Sequence, residues 1–341
     1  MGIEKYYRYI MGNRNVKYTV AFRVLPSVTT EHKWVGAQCV DNYIYGIPND
    51  MNAVLKHTEK ADVYLGKLGE GLFKWTGGCV WEGFLYAFSR TSNSLLKMSL
   101  DTETMEYITL SEKYSQEHHY GGICTKSGIV YQPPRDSDHI LVWNLKTGRT
   151  ERIYLSSKKE NKKFRYCGSV LHPNGYAYFL PELNERVIKL ETETGKWSFI
   201  GENIDAMVFD AKIAADGNIY GYSAYCNGIL KLCTKTEKVE MVHQEIKPGA
   251  YGSKLGVNGH IYSIPGDGSE VWDFDPFTDS LKSIYRFSKT LSAKYAGGAS
   301  LRNGNIYAVP AKANELFCLE LNVDGLEIPE DIWIDFFSDF Y

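Results

Sequence analysis

The chain has 341 residues, of which 14% are aromatic and 23% charged, and a formal net charge of -3. That balance lacks the basic footprint of a general nucleic-acid binder, and no stretch approaches the roughly 18 apolar residues of a membrane span. Seven cysteines, an odd number lying mostly in strand-like segments, read as buried thiols rather than a disulfide framework; with no apolar leader at the N-terminus, the expected compartment is a reducing cytoplasm.

Residues 1–16 form an N-terminal extension in which Tyr6 to Met11 reads as a short helix. Tyr18, Val20, Phe22 and Val24 then alternate with Lys17, Thr19, Ala21 and Arg23, the period-two pattern of a half-buried strand. Seven copies of a strand built around Ile-Tyr follow, anchored at Tyr45, Tyr86, Tyr131, Tyr178, Tyr220, Tyr262 and Tyr307 and separated by 41, 45, 47, 42, 42 and 45 residues. A period of that size marks a propeller or solenoid. Nine residues after each tyrosine stands an aliphatic residue, from Val54 to Leu316, and copies two to six place a turn threonine sixteen residues after it. Upstream lies a small-residue run such as Gly77-Gly78, Gly121-Gly122 or Gly297-Gly298. Glycine weakens a strand, so its recurrence asks for a geometric reason, and convergence of seven inner strands on one axis supplies it.

The expected fold is therefore all-β: a seven-bladed β-propeller of four-stranded antiparallel blades, one domain over residues 17–322. The seventh copy ends at Leu319-Glu320-Leu321 without an outer strand. Residues 17–27 are expected to supply it and close the ring, leaving only short protected edges. Residues 323–341 make an acidic, aromatic C-terminal tail whose Trp333, Phe336, Phe337 and Phe340 are expected to pack back on the ring, with docking on a partner as the alternative.

From tyrosine to turn threonine the interval is constant, whereas from that threonine to the next tyrosine it runs 29, 31, 26, 26 and 29. Length variation thus falls on the connections entering each inner strand or on the turns between it and the Ile-Tyr strand; the former are longer and carry charge, and they share a face with the loops after the Ile-Tyr strand, around the channel mouth. Loops on a rigid scaffold carry function, so that face is the candidate site. At the entry to the inner strand a cation or histidine precedes an aromatic in Lys33-Trp34, Lys74-Trp75, His119-Tyr120, Arg165-Tyr166 and Lys294-Tyr295, while Phe209 follows Val208 and Tyr251 follows Ala250. The candidate ligand ring is Trp34, Trp75, His119, Tyr120, Arg165, Tyr166, Tyr251, Lys294 and Tyr295, with Arg90 and Arg135 from the rim loops. Packing between blades is the competing role for the aromatics. Successive strand residues face opposite ways, so one member of each pair is expected to look outward.

No linear catalytic signature is present. The one dense cluster, Glu117-His118-His119, puts neighbouring histidines on opposite sides of a strand, so no metal and no cofactor is expected. Lys158, Lys159, Lys162, Lys163 and Arg165, diluted by Glu160, read as a solvated loop, with an anion contact as the alternative.

The repeat resembles the kelch type in its Ile-Tyr strand, its Asp275-to-Thr278 turn and Trp197 after a turn, but its double glycines lie on the inner strand and Gly46-Ile47-Pro48 or Ala308-Val309-Pro310 stands where kelch repeats carry theirs. The resemblance spans roughly residues 17 to 322 and implies a fold, not a function. The leading expectation is a cytoplasmic, non-catalytic propeller that holds a small molecule, a glycan or a protein segment on its loop-rich face. The rival is a lyase or hydrolase acting on a glycan or small polar metabolite, with His119, Arg165 and Arg90 in acid–base or anion-holding roles. A third reading is an assembly scaffold that docks through the C-terminal tail.

Overall fold

The computed structural model describes residues 2–26, 28, 30–58, 60–110, 118–156, 163–288 and 291–337. Glu117 and Lys158, Lys159, Glu160 and Lys162 of the basic loop lie outside the described residues. Seven antiparallel sheets surround one axis, and their inner strands are Trp34–Val40, Trp75–Trp81, Ile123–Cys124, Phe164–Leu171, Lys212–Ile213, Ala250–Leu255 and Tyr295–Ser300. Strand Tyr18–Val24 pairs residue for residue with Glu315–Leu321, from Tyr18 opposite Leu321 to Val24 opposite Glu315. The alternation of the segment sends Tyr18, Val20 and Phe22 onto the core between blades six and seven, beside Tyr262, Tyr285 and Phe317.

Six sheets have four strands, but the fourth has five. Arg135–Ser137, from the loop of blade three, turns across and pairs with Phe164–Leu171 of blade four, which puts Arg135 opposite Arg165. Like charges directly opposed across a ladder repel. Here both guanidiniums donate to one buried carboxylate, Glu182.

The glycine convergence is literal. A Cβ on Gly36 would lie 2.9 Å from the Cα of Gly77, one on Gly77 3.5 Å from that of Gly121, one on Gly252 3.5 Å from that of Gly297, and one on Gly297 3.0 Å from that of Gly36. Four inner strands shift register beside these glycines, between Trp34 and Ala37, Trp75 and Gly78, Ala250 and Ser253, and Tyr295 and Gly298. Such bulges need the positive φ that glycine adopts freely, +85° at Gly36 and +70° at Gly297.

The face of the ring opposite the mouth is closed by both ends of the chain. Helix α1 (Gly2–Asn13), longer than the expected Tyr6–Met11, buries Tyr6 and Ile10, one turn apart on one face. Glu4 and Arg8 pair at i,i+4 on its exposed side. Helix α2 (Glu330–Ile332) runs into a π-helical turn, Trp333–Phe337. Tyr6 stacks on Phe336 with ring centroids 4.0 Å apart and meets Phe337 edge-on at 6.2 Å. Up to Phe337, therefore, the tail packs in cis. Each such fully buried side chain contributes about 1.5–3 kcal/mol. Among the described residues no helix is long and apolar enough to cross a membrane.

Arg14, just after α1, fastens the N-terminal segment to blade six by a two-pronged pair with Asp275, one prong at 2.9 Å. Burial alone raises the Asp275 carboxyl, but hydrogen bonds from Arg14, Thr278 Oγ1 and the Phe277 amide outweigh it and hold the group well below its ordinary 3.8. A depressed carboxyl gives stability that is present above pH 3.8 and lost as pH falls through the folded value. We expect wild-type protein to lose urea resistance as pH drops from about 5 toward 2. Asp275→Asn should be weaker by about 1.5–3 kcal/mol at pH 7 and show a flatter acid slope. Parallel acid slopes for the two proteins would refute the assignment.

Candidate functional site

The seven aromatics at the inner-strand entries do not form one ring. In blades one, two, four and seven the aromatic stands opposite the residue three after the anchoring tyrosine: Trp34 faces Pro48, Trp75 Ser89, Tyr166 Pro181 and Tyr295 Pro310. There Trp34, Trp75, Tyr166 and Tyr295 are buried in the cores between blades, away from the channel. In the other three blades the chain is set one residue differently. His119 bridges Pro134 and Ala250 faces Pro265, so Tyr120 and Tyr251 fall one place further along. In blade five Val208 is the fully buried neighbour and Phe209 follows it. A slip of one residue turns a strand side chain to the opposite face, and Tyr120, Phe209 and Tyr251 accordingly line the channel.

The expectation that one member of each cation–aromatic pair looks outward holds for Arg165, which is exposed beside buried Tyr166, but fails for the three lysines. Lys33, Lys74 and Lys294 are buried like the aromatics beside them. Each ammonium donates to backbone carbonyls of loops near the blade junction: Lys33 to Lys312 and Ala313 (3.1 and 3.2 Å), Lys74 to Asp50 and Gly71 (3.2 and 3.0 Å), Lys294 to Gly268 and Leu291 (2.7 and 3.1 Å). The lysine stem covers apolar surface while the head satisfies carbonyls that lack a strand partner. Lys294 thereby braces the junction between blades six and seven.

His119 is likewise withdrawn. Its ring lies 5.2 Å from that of His139, and its Nε2 is 3.4 Å from Ser137 Oγ. Burial, with His139 alongside, pushes its pKa down to about 3. A neutral, enclosed imidazole makes a poor general acid at neutral pH.

What remains at the mouth is compact. Tyr120 and Phe209 have ring centroids 5.4 Å apart, and Phe209 and Tyr251 5.2 Å apart, making a continuous aromatic arc packed on Cys167, Met207 and Ala224. Tyr251 donates its hydroxyl proton to Asp267 at 2.7 Å. Asp267 also accepts from the Ala293 amide and Ser292, and these bonds, against the upward pull of burial, set its carboxyl below the usual range. Arg90 lies between two rings, 4.4 Å from the centroid of Phe73 and 5.2 Å from that of Tyr120, and Arg135 approaches the same Tyr120 ring at 4.9 Å. Arg135 and Arg165 share Glu182, while Arg165 also stands 3.9 Å from Asp136. Of the eleven sequence candidates, then, Arg90, Arg135, Arg165, Tyr120 and Tyr251 meet at the mouth.

Phe209 and Phe73 complete the cluster without having been candidates. For Phe209 a signal existed: where the residue before the aromatic is a long cation the ring is buried, and where it is His119, Val208 or Ala250 the ring enters the channel. Phe73 carried no repeat signal. Below the arc a cavity of about 170 Å³ continues down the axis, with Gln38, Thr76 and Ser169 on its wall and Ile334, Asp335 and Phe336 at its floor. Within it Asp210 pairs with Lys212 at 3.2 Å and Lys254 at 2.9 Å.

No family model matches the chain, and no curated protein matches it in sequence. Solved structures do match its shape. A streptogramin B lyase superposes with a TM-score of 0.72 at 15% identity, over 89% of this chain and 98% of the other. Virginiamycin B lyase from Staphylococcus aureus gives 0.72 at 12% identity, over 89% and 100%. The extracellular domain of a hybrid two-component system from B. thetaiotaomicron gives 0.64 at 9% identity, over 87% of this chain and 42% of that one. At such identities the likeness is one of fold: this chain is a seven-bladed β-propeller, and the neighbours do not extend the kelch-type resemblance.

Proposed function

We propose that the protein is a binding propeller whose channel mouth holds a small ligand without converting it. The observation that carries this reading is the Tyr120–Phe209–Tyr251 arc over a well whose floor is formed by the C-terminal turn. Concave, mostly apolar sites with a few convergent polar groups are the usual form of a small-molecule site. Leu72, Leu183, Tyr225 and Leu291 stand exposed on mouth-side loops and would extend the contact for a larger ligand such as a peptide segment. The seven cysteines are free thiols, which supports a reducing compartment. Thr278 Oγ1 donating to Asp275 at 2.7 Å supports the kelch-like reading of the turn.

A second reading, a lyase, is favoured by His32. Its ring lies 5.6 Å from Phe73 beside the mouth, and burial, with Lys312 nearby, lowers its pKa, leaving a neutral imidazole fit to accept a proton. The test is saturation-transfer NMR of a metabolite collection against the full chain and a Phe209→Ala variant. We expect ligands that lose their signal in the variant and are recovered unchanged after prolonged incubation. Conversion of the ligand, abolished by His32→Gln, would favour the lyase; ligands indifferent to Phe209→Ala would overturn the site.

A further inference from the structure

We infer that the mouth selects a flat organic monocarboxylate, with its carboxylate on Arg90 and its apolar body on the Tyr120–Phe209–Tyr251 arc. This rests on the binding reading above and adds the chemical class of the ligand. The Arg90 guanidinium carbon lies 4.4 Å from the Phe73 ring centroid and 5.2 Å from that of Tyr120, so its donors rest beside aromatic surface. Among the described residues those donors make no hydrogen bond or ion pair, although the carboxylates around them are all engaged. Glu182 takes Arg135 through Nε and Nη2 at 3.1 and 3.2 Å and Arg165 at 2.9 Å. Asp50 accepts the Phe73 amide at 2.7 Å. Of the three arginines, Arg135 and Arg165 are held by Glu182, and Arg90 alone has no carboxylate hydrogen-bonded to it among the described residues.

A partly buried guanidinium without an acceptor is costly, and the backbone beneath it is strained as well. Phe73 has φ +55°, unusual for a bulky residue, and is held there by Asp50 on one side and on the other by Thr91, whose amide and hydroxyl both donate to the Phe73 carbonyl (3.2 and 2.8 Å). Strain maintained by surrounding bonds is typical of ligand clamps. The fork of an arginine edge matches a planar carboxylate with two parallel bonds. A single guanidinium without a hydrogen-bonded acceptor suits one carboxylate, and the adjoining surface is aromatic rather than a further set of donors, which suits an organic body over free phosphate.

The test uses matched probes: benzoate, indole-3-acetate and 2-naphthoate, each beside its primary amide, with inorganic phosphate as competitor. Binding is followed by saturation transfer and by the Arg90 Nε–H resonance of the full chain, in wild type, Arg90→Gln, Arg90→Lys and Phe209→Ala. We expect at least one acid to bind about tenfold tighter than its amide, to move the Arg90 resonance, and to lose that preference in Arg90→Gln and most of it in Arg90→Lys, with phosphate competing weakly. Should Arg90→Gln fail to fold, the wild-type resonance and the lysine variant decide. Equal binding of acid and amide that still depends on Phe209 would overturn the carboxylate and leave the binding mouth standing. Phosphate displacing the acids at equal concentration would overturn the organic class. Absence of binding by every acid and amide would overturn the inference, and the wider metabolite screen would then decide the mouth by itself.

Discussion

A chain beginning at Leu25 is expected to yield no folded monomer. Loss of Tyr18–Val24 strips seven partners from Glu315–Leu321, turning an inner ladder into an open edge. It also uncovers the apolar faces of Phe317 and Tyr285, against which Phe22 packs at 6.0 and 5.5 Å. An unpaired edge of that length is a template for association. The same cut removes α1, whose Tyr6 and Ile10 seal the floor. Tyr6 and Ile10 are fully buried, worth about 1.5–3 kcal/mol each, and with the half-buried Tyr18, Val20 and Phe22 their loss is comparable to the roughly 5–15 kcal/mol by which folded chains are stable. Size-exclusion chromatography should find aggregate or dimer, and calorimetry no cooperative transition. A monomer melting at the wild-type temperature would show that the ring does not need its latch.

Gly36→Ala is expected to cost far more than Gly83→Ala, though both glycines have nearly the same backbone, φ +85° and +79°. The left-handed conformation alone costs an alanine about 1–2 kcal/mol, and at Gly83 nothing else lies within 4 Å of the new methyl. At Gly36 the methyl would meet the Gly77 Cα at 2.9 Å and its nitrogen at 3.1 Å, backbone atoms that cannot swing aside. The inner strands of blades one and two must then part, and overpacking of this kind adds about 1–3 kcal/mol. Urea midpoints of the two variants measure the difference directly. Equal losses would mean that the axis has slack and that the glycines answer only to φ.

The blade count and the closure were legible in the chain because both are written in spacing. Seven tyrosines at a near-constant interval mark a repeat array, the recurrent glycines of the inner strand narrow it to a ring, and Tyr18 to Val24 alternates as a half-buried strand does. The candidate site was only partly legible, for a physical reason. Trp34, Trp75, Tyr120, Phe209 and Tyr251 all stand eleven residues before their tyrosines, yet two are buried between blades and three face the channel. An equal spacing hides a difference in the turn after the inner strand, which is two residues long where Val40 faces Tyr43 and Trp81 faces Phe84 but five where Cys124 faces Val130, Ile213 faces Ile219 and Leu255 faces Ile261, so the same count lands one place further along the ladder. The alternation argument failed for Lys33, Lys74 and Lys294 because it treats burial as apolar, whereas a lysine can bury its stem and spend its charge on carbonyls. The crossing of Arg135–Ser137 to blade four left no trace in the repeat, since it belongs to a loop.

The slip between Lys33-Trp34 and Val208-Phe209 gives each sector an independent toggle. An aromatic directly before the inner glycine, as in Tyr120-Gly121 and Tyr251-Gly252, stands in the central bore, and one set a residue earlier, as in Trp34-Val35-Gly36 and Tyr295-Ala296-Gly297, stands in the seam between sectors. Because the outer strands and the glycine waist are untouched by that choice, the lining of the bore is open to revision sector by sector while the hoop around it stays the same.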